Sequence, residues 1–280
     1  MPAALTEDFS RVAEQMRRYT VHVSNAGRGG GSGVIWRSGG LIVTNAHVAR
    51  RADGRVRFSD GRVVSARVTA RDPQLDLALL EADARDLPAA PIGNSDTLRT
   101  GELVLAVGSP YGHAGAVAVG VVHAAADRRW VAADLRLAPG NSGGPLANAA
   151  GHVVGINTMV AHGVALAVPS NIVERFVARG GRPARRLGVT VEPVNTAGFG
   201  LLVFGLLVVE IEPESPAESA GLQVGDVLTG AGGRPFQAPF DLALALEVDG
   251  SVVQLDLLRG GRTATCEVSF DLPAVGADVG

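Results

Sequence analysis

Ser142 sits in Pro139-Gly140-Asn141-Ser142-Gly143-Gly144-Pro145, a glycine-rich turn. Such a serine can be nothing more than a turn residue, or it can be a nucleophile. Glycines on both sides let neighbouring backbone N–H groups converge on a developing oxyanion, and Gly140 and Ser142 are the candidate donors. A serine hydroxyl is inert at neutral pH without a base. Among the six histidines (His22, His47, His113, His123, His152 and His162), His47 stands apart because Thr44-Asn45-Ala46-His47-Val48 follows the apolar stretch Leu41–Val43. A strand running into a polar turn fixes the backbone and leaves the imidazole at the sheet's edge. A carboxylate must then hold the ring's tautomer. Asp76, in Leu75-Asp76-Leu77-Ala78-Leu79-Leu80, is the best placed, because an acid among leucines is costly unless something hydrogen-bonds it. Asp72 is the reserve, although Asp72-Pro73 reads as turn chemistry.

The rest of the chain must place those groups, and its composition limits how. The 280 residues are 46% apolar and 19% charged, with a net charge of −3, which suits two compact domains. So small a charge argues against a nucleic-acid or membrane-surface partner. All 25 basic residues are arginine, which removes Schiff-base and Ser–Lys chemistry. The single cysteine, Cys266, excludes an internal disulfide and a thiolate zinc site, and no metal or organic cofactor is implied. The longest apolar run, Leu201–Val209, is far shorter than the ~20 residues that span a bilayer. The first 19 residues carry acids and arginines without an apolar h-region, so the chain as given is expected to be cytoplasmic. The alternative is the periplasm or cell envelope if a presequence is missing.

Leu5, Phe9, Val12, Met16 and Tyr19 recur at spacings of three and four, which predicts an amphipathic helix. From residue 20 to about 170, short Val/Ile/Leu/Ala runs cut by Gly, Asn, Asp and Pro predict antiparallel β structure. A helix is expected at about 170–178, with Ser170 as its N-cap and Gly180 as its stop. The expected domains are 1–178, including an N-terminal segment 1–19; a linker at 179–186; a smaller α+β unit at 187–273; and a tail at 274–280.

TNAHV, DLALL 29 residues on, and GNSGGP 66 beyond that resemble the HtrA/Deg family of trypsin-like serine proteases. Further fragments in family order are GSGVI, SDGR, RDPQLDLALL, PIGNSD, LRTGE, AVGSPYG, GINT and AVPSN. The resemblance implies a chymotrypsin-like pair of six-stranded β-barrels with a cleft between them. His47 would be the general base, Asp76 its orienter, Ser142 the nucleophile, and the amides of Gly140 and Ser142 the oxyanion hole. It also implies hydrolysis of unfolded or damaged polypeptide, and a homotrimer built through Phe9 to Tyr19. The alternative is an amphipathic helix packed on its own barrel. Leu137, Met159 and Val164 are the candidate specificity pocket, favouring a small aliphatic residue before the scissile bond. Where digestive relatives of this fold carry Asp before the nucleophile, this chain has Asn141, which argues against activation by propeptide cleavage.

Glu214–Leu222 and Val224–Leu228 resemble a PDZ domain of the kind appended to these proteases, which captures peptide C-termini by strand addition. The family's carboxylate loop falls at Leu187-Gly188-Val189, with Arg186 in place of an aromatic. The segments 25–31, 120–134 and 155–168 are short for the family, which implies weak dependence on an activating peptide. A catalytically idle PDZ-containing chaperone or scaffold is the rival function. An esterase of another fold is disfavoured because the nucleophile motif is not G-x-S-x-G.

Overall fold

A computed structural model describes residues 3–24, 30–112, 115–124, 130–161, 163–182, 185–198, 201–239, 241–247 and 251–270. The tail at 274–280 and parts of the short segments 25–31 and 120–134 lie outside them. The chain divides between Arg182 and Pro183 into two units.

The first unit opens with helix α1 (Ala3–Tyr19), which buries Val12 and Met16. Six strands follow: β1 (Thr20–Ser24), β2 (Gly30–Arg37), β3 (Leu41–Thr44), β4 (Asp53–Arg57), β5 (Val63–Asp72) and β6 (Leu77–Ala82). They close in the order β1-β2-β3-β6-β5-β4 around Val21, Ile35, Ile42, Val56 and Leu80. The second barrel uses β7 (Leu103–Gly108), β8 (Ala116–Ala124), β9 (Val131–Asp134), β10 (Pro145–Asn148), β11 (Val153–Ala161) and β12 (Val164–Pro169). It closes in the order β10-β11-β12-β9-β8-β7 around Val104, Ala106, Val122, Leu146 and Val154. Small and β-branched side chains fill these interiors, so few aromatics are needed, and closure leaves neither barrel with an unpaired strand edge.

Helix α2 (Ser170–Ala178) ends the unit. Ser170 is its first residue and not the N-cap that its type predicts. Pro169 is the capping residue and makes no side-chain cap bond, while the Ser170 hydroxyl donates to the Gly93 carbonyl at 2.6 Å. At the far end Gly180 and Gly181 have positive φ, and their N–H groups close on Val177 and Phe176, the pattern of a glycine-terminated helix.

The second unit contains β13 (Val189–Gly198), β14 (Leu201–Ile211), α3 (Pro216–Ser219), β15 (Val227–Ala231), β16 (Arg234–Pro235), α4 (Asp241–Leu246), β17 (Val252–Arg259) and β18 (Arg262–Ser269). The sheet order is β13-β14-β15-β17-β18, with β16 paired to β15, and Leu206, Val208, Leu228, Phe236, Leu255 and Val268 form its core. Ser215 caps α3 by accepting from the Glu218 N–H. Gly260 and Gly261 both take positive φ, as a two-residue hairpin turn between β17 and β18 requires.

His22 on β1 lies opposite Ser32 of β2 and Arg57 of β4. Burial, and then the Arg57 charge, hold its imidazole below the usual histidine range. The unfolded chain therefore takes up a proton near pH 6.5 that the folded chain refuses, so stability rises with pH through that window. This contribution is complete above about pH 6.5 and is lost as pH falls from there towards the depressed folded value. Urea unfolding between pH 7 and 5 is expected to show a shallower pH dependence for His22→Gln than for the wild type. An unchanged slope would contradict the assignment.

Candidate functional site

The tight turn after β3 carries His47. Val48 and Ala49 both donate N–H bonds to the Asn45 carbonyl, and Arg50 and Arg71 donate to the carbonyls of His47 and Ala46. Asp76 stands in the turn before β6 with φ +53, a left-handed conformation that Asp tolerates better than most residues. Its backbone carbonyl accepts the Asn45 side-chain amide at 2.9 Å, tying the two turns together.

The carboxylate of Asp76 is buried and well supplied with donors. His47 Nδ1 lies 2.7 Å from Oδ2 and 3.0 Å from Oδ1, and the His47 backbone N–H donates to Oδ1 at 3.0 Å. With Nδ1 donating to a carboxylate, the neutral ring carries its lone pair on Nε2, the arrangement a general base needs. The imidazole side chain is 42% exposed, whereas the Asp76 side chain is 9% exposed. Asp72, the reserve carboxylate, accepts from the Gln74 and Leu75 amides at 2.9 and 3.0 Å. It caps its own turn.

Thr158 on β11 was not singled out from the sequence. Its hydroxyl donates a short bond to Asp76 Oδ2, and its carbonyl accepts the Ser142 hydroxyl at 3.0 Å. It thus joins a carboxylate of the first barrel to the serine of the second. Only the GINT fragment hinted at it, because a threonine within a strand carries no local sign of such a role. Among the described residues, the Ser142 hydroxyl bonds to Thr158 and not to His47.

Ser142 belongs to the loop from β9 to β10. Ala138 accepts the Asn141 N–H at 3.0 Å, Pro139 precedes Gly140, and Gly140 has φ +106. Proline second and a positive-φ glycine third mark a type II turn. Among the described residues, the amides of Gly140 and Ser142 donate to no protein acceptor, whereas both carbonyls are bound. Two unspent donors on one rigid loop are what a developing oxyanion requires. Asn141 is buried, and among the described residues its amide oxygen has no partner.

Leu137 is half-buried and packs against the core of the second barrel. Met159 pairs with Leu166, and Val164 with Ala161, so Met159 and Val164 share one face of the β11–β12 hairpin. In the second unit, the Leu187 and Gly188 carbonyls accept the Ala217 and Glu212 amides at 2.9 Å. Gly188 has φ +81, and a Cβ there would lie 2.2 Å from that of Ser215. Val189 begins β13, which is at the edge of the sheet. The Arg186 guanidinium is engaged by Glu212. Among the described residues no group of three or more His, Cys, Asp or Glu could hold a metal ion, and no helix is long and apolar enough to cross a membrane.

Two closed antiparallel barrels with His, Asp and Ser gathered at their seam define a trypsin-like serine peptidase domain, here followed by a PDZ domain. Residues 31–156 match the trypsin-like peptidase domain family, and residues 185–270 match the PDZ domain family. The chain is 38% identical over 275 residues to the probable periplasmic serine endoprotease DegP-like of Pseudomonas savastanoi pv. phaseolicola, covering 89% of this chain and 57% of that protein. The protein of the same name from Chlamydia trachomatis serovar D is 33% identical over 264 residues, covering 85% and 53%. Among solved structures, the serine endoprotease from Yersinia pestis superposes with a TM-score of 0.65 at 29% identity, covering 93% of this chain and 96% of that one. The HtrA-type protease AlgW with tripeptide gives 0.64 at 27% identity, with the same coverage. Over both domains the chain is similar to serine proteases of the HtrA/Deg family.

It spans little more than half the length of these curated relatives. Their names, each that of a probable periplasmic serine endoprotease, overturn the expectation of a cytoplasmic location and point to the periplasm. Compartment is encoded in address segments and not in folded domains. With one cysteine, the composition of these domains carries no disulfide record of it either.

Proposed function

We propose that this chain is a serine endopeptidase that hydrolyses unfolded or damaged polypeptides in the periplasm through an acyl-enzyme. The observation that carries the reading is the His47–Asp76 pair joined through Thr158 to Ser142 across the seam of the barrels. The Ser142 hydroxyl turns about its Cα–Cβ bond from the Thr158 carbonyl to His47 Nε2. It then attacks the scissile carbonyl as the imidazole takes its proton, and the amides of Gly140 and Ser142 receive the oxyanion. Asp76 stabilises the imidazolium, which next protonates the leaving amine. Water, activated by the same imidazole, releases the acyl group. Leu137, Met159 and Val164 line the pocket for a small aliphatic side chain.

The PDZ domain holds peptide C-termini, with the terminal carboxylate at Leu187-Gly188-Val189 and the peptide added as a strand along the open edge of β13. The Arg186 guanidinium, paired with Glu212 through Nη2 and otherwise exposed, adds positive charge beside the backbone donors of that loop. The domain boundaries are those of the sequence reading, and catalysis depends little on PDZ occupancy. A homotrimer forms beside α1. Val117 and Val119 are 36% and 51% exposed and, with Phe9 and Leu105, line a cavity there, leaving apolar surface for a second copy.

Incubation with casein tests the activity, with Ser142→Ala as the control. The wild type is expected to cut casein, and the variant to leave it whole. Uncut casein with both proteins would favour a catalytically idle chaperone.

A further inference from the structure

Ser32, on β2 of the first barrel, is fully buried and touches the nucleophile loop of the second at several points. Its N–H donates to the Ser142 carbonyl at 2.8 Å. Its hydroxyl donates to the Gly140 carbonyl at 2.7 Å and accepts the Ser109 N–H at 2.9 Å. The Ser32 carbonyl in turn accepts the Thr44 hydroxyl at 2.6 Å. A Cβ on Gly143 would lie 2.1 Å from the Ser32 carbonyl oxygen, and one on Gly144 3.1 Å from the Ser32 Cβ. The two glycines that follow the nucleophile therefore accommodate Ser32.

We propose that Ser32 is a positioning residue for the oxyanion hole, acting through the peptide that joins Gly140 to Asn141. That peptide is held at both ends, its carbonyl by the Ser32 hydroxyl and its N–H by the Ala138 carbonyl. It lies between the two amides assigned to the oxyanion, one belonging to the preceding peptide and the other to the following one. Fixing its plane removes the rotation that would carry the Gly140 N–H away from the substrate oxygen. Without the hydroxyl, Gly140 keeps only the 3.3 Å bond from the Ser109 N–H. Donors that must be organised during the reaction stabilise the transition state less than donors already in place. Ser32 touches neither substrate nor nucleophilic oxygen, so its effect appears in the transition state and not in substrate binding.

This inference rests on the proposed peptidase activity, and the test separates the two. Peptide hydrolysis by Ser32→Ala, Ser32→Thr and the wild type is compared, together with inhibition by a peptide boronate and by the matching cleaved peptide acid. Removing one oxyanion donor costs about 10²–10³-fold in kcat. A loosened donor is expected to cost less, about tenfold to a hundredfold in kcat with KM unchanged. Boronate affinity should fall by the same factor while product affinity holds, and Ser32→Thr, which retains a hydroxyl, should keep most of the rate. A purely structural role would weaken boronate and product alike. That result, or wild-type kcat in Ser32→Ala, overturns the proposal. If Ser32→Ala does not fold, Ser32→Cys preserves the packing while weakening both hydroxyl bonds, and wild-type kcat in that variant is equally fatal. A wild type inert towards casein and boronate would sink the activity itself. Hydrogen exchange at 138–144 would then read Ser32 independently, with protection unchanged in the variant counting against it.

Discussion

Replacing Asp76 by Asn is expected to lower kcat by about 10⁴-fold while leaving the fold intact, the size seen when such a carboxylate is lost in a comparable triad. The carboxylate accepts from the His47 backbone, the His47 ring and the Thr158 hydroxyl. An Asn side chain can accept through its oxygen, but its NH₂ group must face one of these donors. In either orientation the imidazole loses the negative charge that stabilises its protonated form, and with the NH₂ at the Oδ2 position it also loses the acceptor that holds its proton on Nδ1. Steady-state hydrolysis of a peptide ester and of an amide checks this. Both should fall, the amide at least as far, because amide cleavage also requires the imidazolium to protonate the leaving amine. Retention of more than a tenth of the amide rate would show that Asp76 is not the orienting group.

The second large effect lies in the PDZ domain. Arg259 donates from Nε to Asp226 Oδ1 and from Nη2 to Oδ2, both at 2.7 Å, and Gln223 N–H donates to Oδ2 at 2.9 Å. The Asp226 side chain is only 1% exposed. Burial pushes its carboxyl up, but the Arg259 bonds and the Gln223 amide outweigh that and hold it below the usual carboxylate range. Removing the guanidinium strands a buried charge, which typically costs about 3–5 kcal/mol. For a domain of this size that is a large share of total stability. Arg259→Ala is therefore expected to unfold the second unit at markedly lower denaturant. Because the folded carboxyl is depressed, the wild-type contribution is present above the unfolded value near pH 4 and is lost as pH falls through the folded value. Both tryptophans, Trp36 and Trp130, lie in the first unit, so their fluorescence should not report this change. Hydrogen exchange along β17 and β18 should. A loss of protection there under 1 kcal/mol would mean the pair is no more than a surface contact.

How much of this could be read from the chain varies by residue. His47 and Ser142 announce themselves because a polar turn after an apolar strand and a serine amid glycines are local patterns. Asp76 is nearly as plain, since leucines on both sides make an unpaired acid expensive. Its left-handed backbone is not legible, since the Asn45 side chain that binds its carbonyl lies 31 positions away in sequence. Thr158 and Ser32 were both hidden for the same reason. Each looks like an ordinary small residue in a strand, and each matters only because barrel closure brings another barrel's loop against it. Ser170 misled in the opposite way. Its type suits an N-cap, but the turn containing Gly93 claims the hydroxyl instead. The amphipathic period of α1 predicts a buried stripe, and Val12 and Met16 supply it, yet period alone cannot say which surface covers the remaining apolar residues.

The most direct measurement is the site and rate of labelling by a peptidyl phosphonate, followed by mass spectrometry of the digested protein. One phosphonate on the peptide containing Ser142, forming rapidly in the wild type and at least a thousandfold more slowly in His47→Ala, is the expected result, because only the imidazole makes this hydroxyl a nucleophile. Labelling elsewhere, or at the same rate without His47, would contradict the catalytic assignment.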